Sequence, residues 1–171
     1  MPLASVIALL TLAPRPQLFE VSAGSALTTP VADIGRYDDD VEVVPHASAF
    51  FLAEYFVAPE FRVAAAYDLP TSTAQRVVGG EKQERVVPSR AFVGLVAAPF
   101  SFGIRDKSVL ELQGGVFMGV EMDDDPRVLP MAFGRLHASQ DALTGVGVYL
   151  GIRYVGGSHD LAAVYGVGYR F

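Results

Sequence analysis

Large apolar side chains recur at every second position in the last part of this chain, LAAVYGVGYRF. One parity of the stretch holds its large side chains and one alanine: Leu161, Ala163, Tyr165, Val167, Tyr169 and Phe171. The other parity holds mainly alanine and glycine, with Arg170 near its end. A repeat of two residues is the repeat of a β-strand, whose successive side chains point to opposite faces. The pattern therefore predicts a strand with a large apolar face and a face of small residues, which suits the narrow lumen of a barrel.

Alternation between turn-forming residues marks eight such segments: 17–28, 46–57, 60–69, 88–104, 108–122, 128–138, 143–155 and 159–171. It is clearest in the third, fifth, seventh and eighth. The second segment is apolar on both faces except at Glu54, and Pro99 interrupts the fourth. Beyond the N-terminus there is no uncharged apolar run of about 18 residues, the length of a membrane-spanning helix.

The connections between these segments differ in length in a regular way. The first and third are long, TPVADIGRYDDDVEVVP and PTSTAQRVVGGEKQERVVP, whereas most of the others are short. Outer-membrane barrels have an even number of strands, tight turns at one end and longer loops at the other. The chain is therefore predicted to be an all-β protein, an eight-stranded antiparallel up-and-down transmembrane β-barrel that forms a single domain over residues 16–171.

Composition narrows the class of protein. Hydrophobic residues make up 51% of the 171 residues and charged residues 19%, below the usual quarter of soluble domains. The absence of cysteine excludes a disulfide scaffold and a zinc–thiolate site. The net charge of −6, without a basic stripe, argues against a nucleic-acid partner. So much apolar surface requires either a large soluble core or a membrane barrel.

The N-terminal residues have the character of an export signal. MPLASVIALLTLA matches the length and apolarity of a signal-peptide core, although no Lys or Arg precedes it and Pro14 directly follows Ala13, the expected cleavage side. An apolar strand or a wrongly assigned start codon explains the same letters. We interpret residues 1–15 as a signal peptide or an unstructured N-terminus.

The pattern of residues 17–171 resembles the small eight-stranded bacterial outer-membrane barrels, the family of the outer membrane protein A transmembrane domain. The most specific part of the resemblance is the end of the chain, where Gly166, Tyr169 and Phe171 are similar to the assembly signal of that family. The chain departs from the family at Val164, where a polar residue is usual, and in having no Trp for the interface girdles. The resemblance implies a monomer in the bacterial outer membrane. Its implied partners are outer-membrane lipid, lipopolysaccharide and the barrel assembly machinery.

A soluble lipocalin-like carrier of a hydrophobic ligand is the alternative fold. It would bury the large apolar face and expose a face rich in Lys, Glu, Thr and Gln. The second faces of these segments contain too much Gly and Ala, and too few charges, to form a good solvent-exposed surface. The membrane barrel is therefore favoured.

If the large faces meet lipid, several charged side chains point into the lumen. Ionised groups in a narrow interior must be paired. We predict a mutually neutralising cluster that plugs the lumen, formed by Glu20, Glu54, Arg62, Glu111, Arg153 and Arg170. The alternative for any one of them is a position in water near a barrel end.

Two acidic triplets fall in predicted loops: Asp38, Asp39 and Asp40, and Asp123, Asp124 and Asp125. Grouped carboxylates are suitable ligands for Ca²⁺ or Mg²⁺, and they also form turns in water. Their spacing is not that of an EF-hand. Apart from such a loop-bound cation, no cofactor is expected.

An enzymatic alternative rests on the tripeptide HAS, which occurs at His46–Ser48 and His137–Ser139. It is similar to the His and Ser, two residues apart, of the lipid A deacylase family, and this spacing puts a base and a nucleophile on one strand face. The departures are clear. His137 falls at the short-turn end, the strand after it has no carboxylate, and Glu54 follows His46 at a different spacing from that of the family.

VVGGEKQER, residues 77–85, lacks the spacing and the following helix of a phosphate-binding loop, so we interpret it as a flexible exposed loop tip. The sequence therefore predicts a non-enzymatic barrel with a plugged lumen and a structural, adhesive or loop-mediated binding role. The alternatives are a lipid A-modifying barrel enzyme and a soluble carrier.

Overall fold

The computed structural model of the protein describes residues 18–30, 41–105, 108–140 and 145–171. Its strands are β1 Phe19–Pro30, β2 Val41–Val44, β3 His46–Ala58, β4 Phe61–Pro70, β5 Ala74–Val78, β6 Glu81–Arg85, β7 Ser89–Arg105, β8 Ser108–Met122, β9 Val128–Ser139, β10 Gly145–Val155 and β11 Asp160–Arg170. Within these residues no helix is long and apolar enough to cross a membrane. Residues 1–15 and the triplet at 38–40 lie outside the described residues.

Eight strands form a closed antiparallel barrel in the order β1-β11-β10-β9-β8-β7-β4-β3. The first and last strands close it, with Val21 opposite Tyr169 and Gly24 opposite Gly166. Closure pairs both sides of every strand, so the barrel has no free sheet edge. The eight predicted segments are these eight strands, and the predicted fold is confirmed.

Side chains alternate between the two faces of the wall as the parity predicted. Val116 on β8 is 67% exposed and Leu150 on β10 is 64% exposed, whereas Arg62 and Arg153 are each 1% exposed. This distribution is the reverse of a soluble barrel, which buries its large apolar side chains and exposes its charges. The lipocalin-like alternative is therefore wrong.

Glycine lets the small lumen close around one aromatic side chain. Gly166 lies directly opposite Tyr149 on the neighbouring strand. A Cβ atom on Gly166 would lie 2.6 Å from the Tyr149 hydroxyl oxygen, closer than atoms of these types approach. The small residues on the inner face of β11 thus leave room for Tyr149, a large inner side chain of β10.

The remaining three strands form a separate sheet, in the order β2-β5-β6. They belong to the long connections, at the end of the barrel that we call the loop end; the opposite end, with the β3–β4 and β7–β8 connections, is the turn end. β5 and β6 form a hairpin whose turn is Gly79-Gly80, with φ angles of 57° and 83° that suit glycine. Residues 77–85 are therefore a β-hairpin and not the flexible loop tip that the sequence suggested. We call the three strands the loop-end sheet.

Candidate functional site in the barrel lumen

The turn end of the lumen is filled by one group of buried polar side chains. We call it the turn-end cluster, and its members are Glu20, Glu54, Arg62, Glu111, Gln113, Arg135, His137 and Arg170. They come from six different strands, β1, β3, β4, β8, β9 and β11. Each projects inward because of its parity, and the closed barrel brings them to the same height.

Two arginines bridge pairs of glutamates in this cluster. The Nη2 atom of Arg62 lies 2.8 Å from Glu111 Oε2, and its Nη1 atom lies 3.5 Å from Glu54 Oε1. Arg170 donates from Nε to Glu20 Oε2 at 2.9 Å and from Nη2 to Glu111 Oε2 at 3.0 Å. Glu111 therefore contacts two arginines at once, which offsets the high free energy of burying its charge.

Arg135 completes the charge balance. Its Nη2 atom donates to Glu54, and its Nε atom donates to Gln113 Oε1 at 2.5 Å. Gln113 in turn donates from Nε2 to Glu111 Oε2 at 2.7 Å. Three arginines thus neutralise three glutamates in the described part of the lumen, with a glutamine linking them. Arg135, Gln113 and His137 were absent from the predicted set.

His137 lies between two carboxylates of the turn-end cluster. Its Nε2 atom is 3.1 Å from Glu20 Oε1, and its Nδ1 atom is 3.4 Å from Glu111 Oε2. The strand after His137, β10, has no carboxylate, but Glu111 on the preceding strand lies directly opposite His137 in the register of β8 and β9. Glu20 reaches the same ring from β1. The His137 ring is therefore flanked on both sides by carboxylates of the turn-end cluster.

An aromatic layer lies above the turn-end cluster. Phe133 is central to it, with ring centroids 6.1 Å from Phe50 and 6.4 Å from Phe117. The Arg135 guanidinium lies 5.4 Å from the centroid of Phe133 and 5.1 Å from that of Tyr149, within the range of cation–π attraction. Large rings at mid-height fill a lumen of this strand number.

A second polar group lies at the opposite end of the lumen. We call it the loop-end cluster, and its members are Thr28, His46, Ser48, Asp68, Arg90, Glu121, Arg153 and Asp160, all of them buried. Arg90 donates to Glu121 at 3.0 and 3.1 Å and lies 2.9 Å from Asp160. Arg153 lies 3.0 Å from Asp68 and donates to Thr28 at 3.3 Å.

Of the six predicted lumen charges, the structure brings five together and places one apart. Glu20, Glu54, Arg62, Glu111 and Arg170 are in the turn-end cluster. Arg153 is in the loop-end cluster with Asp68. The reason is the position of each residue along the barrel axis. β10 runs from the turn end to the loop end, so residue 153 lies near the loop end, whereas residue 170 lies at the turn-end terminus of β11. Parity predicted the direction of Arg153 but not its height.

A cavity of about 360 Å³ lies above the loop-end cluster and below the loop-end sheet. We call it the vestibule. Buried His46, Arg90 and Asp160 line it from the barrel, and Gln75 and Glu84 line it from the loop-end sheet. Gln75 donates to Glu84 at 3.0 Å, which holds the two strands of that wall together. The vestibule is large enough for a small organic molecule.

The two HAS tripeptides lie at opposite ends of the barrel, and each places its His and Ser inside the lumen. His46 and Ser48 belong to the loop-end cluster. Glu54, the carboxylate of the same parity, is in the turn-end cluster with Arg62 and Arg135. His46, Ser48 and Glu54 are therefore not brought together. In the other tripeptide, His137 lies between two carboxylates and, like Ser139, is buried in the lumen.

The acidic triplet that falls within the described residues forms a turn. Asp124 donates its backbone N–H to the Asp123 carboxylate at 2.8 Å, and Asp125 lies 3.9 Å from Arg127. Among the described residues no group of three or more His, Asp or Glu side chains could hold a metal ion. Asp123–Asp125 thus have the contacts of turn-forming residues, and a metal site at residues 38–40 stays a prediction.

The predicted assembly-signal residues have ordinary structural roles in the wall. Tyr169 and Phe171 are exposed on the outer face, with ring centroids 5.0 Å apart, and Phe171 lies 6.4 Å from the ring of Phe19. The Phe171 backbone N–H donates to the Phe19 carbonyl at 2.8 Å. These three aromatic rings lie together on the outer surface at the turn end of the barrel. Their role in assembly stays a prediction.

The closed wall, its apolar exterior and its charged interior together define the class of protein, because only helices and closed barrels can cross a bilayer with every backbone group paired. The chain is a transmembrane β-barrel. No family model matches it, and no curated protein matches it.

Solved structures of small barrels are similar to it in fold. Ail, the attachment invasion locus protein of Yersinia pestis, is 13% identical over 92% of this chain and 100% of that chain, with a TM-score of 0.42. The N-terminal β-barrel domain of Pseudomonas aeruginosa OprF is 13% identical over 91% and 97%, with a TM-score of 0.43. The outer membrane protein OprG from Pseudomonas aeruginosa is 14% identical over 92% and 97%, with a TM-score of 0.46.

Proposed function

We propose that this protein is a sealed, non-enzymatic barrel of the bacterial outer membrane that acts by binding at its loop end. The observation that carries the proposal is the filled lumen. Two charged clusters and an aromatic layer occupy it from one end to the other, so the wall serves as an anchor and not as a pore. The loop end is where the chain adds structure beyond the barrel.

The orientation follows from the architecture of outer-membrane barrels, whose longer loops are extracellular and whose tight turns are periplasmic. The loop-end sheet and the vestibule then face the outside of the cell. The outer wall contacts membrane lipid and lipopolysaccharide, and the barrel assembly machinery inserts a monomer. A structural or adhesive role at the cell surface is consistent with the same arrangement.

Lysine labelling tests the orientation. The chain has two lysines, Lys82 in the loop-end sheet and Lys107, which falls between β7 and β8 in the sequence. A membrane-impermeant amine reagent added to intact cells is expected to modify Lys82 and to spare Lys107 until the outer membrane is opened. Labelling of Lys107 alone in intact cells would reverse the orientation and remove the proposal.

Conductance tests the sealed lumen. Purified protein in a planar bilayer is expected to produce no stepwise current, while its mobility on SDS gels shifts on heating, as a folded membrane barrel requires. A heat-modifiable preparation that conducts ions in steady, reproducible steps would show that the lumen is open.

A further inference from the structure

The loop-end cluster contains more carboxylates than guanidinium groups. Among the described residues, Asp68, Glu121 and Asp160 face Arg90 and Arg153. All five side chains are at least nine-tenths buried. A buried negative charge without a partner is unfavourable, and a cation bound beside it would relieve that cost. Arg85 and Glu84, the exposed charges on the vestibule wall, cancel each other.

Six buried polar atoms of this cluster have no hydrogen-bond partner among the described residues. Three are arginine nitrogens, of which Arg90 Nη1 and Arg153 Nη1 still form ion pairs with Asp160 and Asp68 and Arg153 Nε is an unpaired donor. The three atoms that can accept are His46 Nδ1, Ser48 Oγ and Asp68 Oδ1. In the imidazole tautomer that carries its proton on Nε2, Nδ1 is an acceptor, and the other two atoms also accept. Buried acceptors are normally satisfied by protein, water or ligand.

The register of β3 and β4 places these three acceptors along one side of the inner wall, with Ser48 between His46, nearer the loop end, and Asp68, nearer the turn end. His46 and Ser48 are two residues apart on the same face of β3. Ser48 lies opposite Pro70, and Asp68 is two residues before Pro70 on β4, so Ser48 and Asp68 are diagonal neighbours. Of the three residues, His46 lines the floor of the vestibule, and Ser48 and Asp68 follow below it along the same wall.

We propose that the vestibule binds a small organic cation with a primary ammonium group. Such a group carries a single positive charge and three N–H donors. Its charge matches the excess carboxylate of the cluster, and its N–H groups can donate to His46 Nδ1 at the vestibule floor and to Ser48 Oγ, the next acceptor along the wall. Val44, Ala74, Val87 and the prolines of the upper wall offer apolar surface to a short alkyl stem. The proposal rests on the proposed function, because it names the ligand class of the loop end.

The test uses the full chain, folded in detergent, titrated calorimetrically near neutral pH with n-butylammonium chloride. Tetramethylammonium chloride and potassium chloride at equal ionic strength are the control probes, because they carry the charge without the N–H donors. We expect n-butylammonium to bind, and we expect both controls to bind more weakly by a factor of about ten or more. That factor is the effect of losing hydrogen bonds to charged groups.

Matched variants locate the site. His46→Leu and Ser48→Ala each remove one acceptor and are expected to weaken n-butylammonium binding about tenfold. His46→Asn keeps an acceptor oxygen near the position of Nδ1 and is expected to retain most of the affinity. Asp125→Asn removes an exposed charge at the same end of the barrel and is expected to leave the affinity unchanged.

Three outcomes would overturn the proposal. Equal binding of tetramethylammonium or potassium would mean that charge alone is recognised. Binding that survives both His46→Leu and Ser48→Ala would place the ligand elsewhere. A heat-modifiable protein that does not bind n-butylammonium would mean that water satisfies the three acceptors. In that last case the labelling and conductance results still stand, so failure of the ligand class is distinguishable from failure of the proposed function.

Discussion

The two ends of the lumen use the same side-chain chemistry for different results. In the turn-end cluster Glu111 contacts Arg62 and Arg170, and three arginines balance three glutamates. In the loop-end cluster the carboxylates exceed the arginines, and buried acceptors such as Asp68 Oδ1 have no partner among the described residues. A network whose carboxylates are all paired acts as a rigid plug in a low dielectric, whereas a network with unpaired acceptors beside a cavity can bind a ligand. The two clusters therefore differ in charge balance and in access to a cavity, because only the loop-end cluster adjoins the vestibule.

The largest effect is expected from Glu111→Ala in the plug. This change leaves Arg62 and Arg170 buried without their shared carboxylate, which should lower the free energy of unfolding by about 3–5 kcal/mol. Urea titration of the folded barrel, followed by gel mobility, measures the loss. Glu60→Ala, at the exposed turn between β3 and β4, is the control. Equal stability of the two variants would show that Glu111 does not hold the plug together.

A smaller loss is expected from Arg153→Met at the loop end. Only one carboxylate, Asp68, would lose an ion pair, whereas Glu111→Ala affects two arginines, so we expect about 1–3 kcal/mol. The double variant Arg153→Met with Asp68→Leu should recover part of that loss, as a double-mutant cycle shows for directly coupled residues. A loss as large as that of Glu111→Ala would mean that the number of broken ion pairs does not determine the loss.

Gly166→Ala tests packing at mid-height, between the two clusters. The added methyl group would press on the Tyr149 hydroxyl and on the wall of β1, with an expected cost of about 1–3 kcal/mol. Gly103→Ala is the matched control, because a Cβ atom there meets nothing within 4 Å. The unfolding midpoints of the two variants in urea give the comparison. Coinciding midpoints would show that the lumen has room to spare beside Tyr149.

The smallest effect is expected from Gly79→Ala in the loop-end sheet. Gly79 has a φ of 57°, and alanine there should weaken the hairpin locally by about 1 kcal/mol without changing barrel unfolding. Hydrogen exchange of β5 and β6 should accelerate while that of β8 stays unchanged. Gly79→Asn, which tolerates this backbone conformation, should restore slow exchange. Faster exchange in β8 as well would mean that the sheet stabilises the barrel.

Some lumen residues were predictable because their strands have one large and one small face. In β8 and β11 that contrast identified Glu111 and Arg170 as inward-facing. In β9 the outer face carries Ala132, Gly134 and Ala138, so the contrast disappears and Arg135 was missed. Strand direction, which was available from the alternating connections, could have separated Arg153 from Arg170. The loop-end sheet was not predicted, because its strands have only four or five residues each and β6 is polar on both faces.

By itself, the sequence determined the eight strands, the end of the barrel that carries the loops and the faces that meet lipid, because all three follow from a local period of two and from turn residues. Only the tertiary structure decided which charges lie at the same level along the barrel axis. Those partners are up to 150 residues apart, as for Glu20 and Arg170, and they meet because closure and register bring distant strands together. The division of the lumen into a charge-balanced turn-end cluster and an acid-rich loop-end cluster is therefore a property of the closed barrel and not of any one strand.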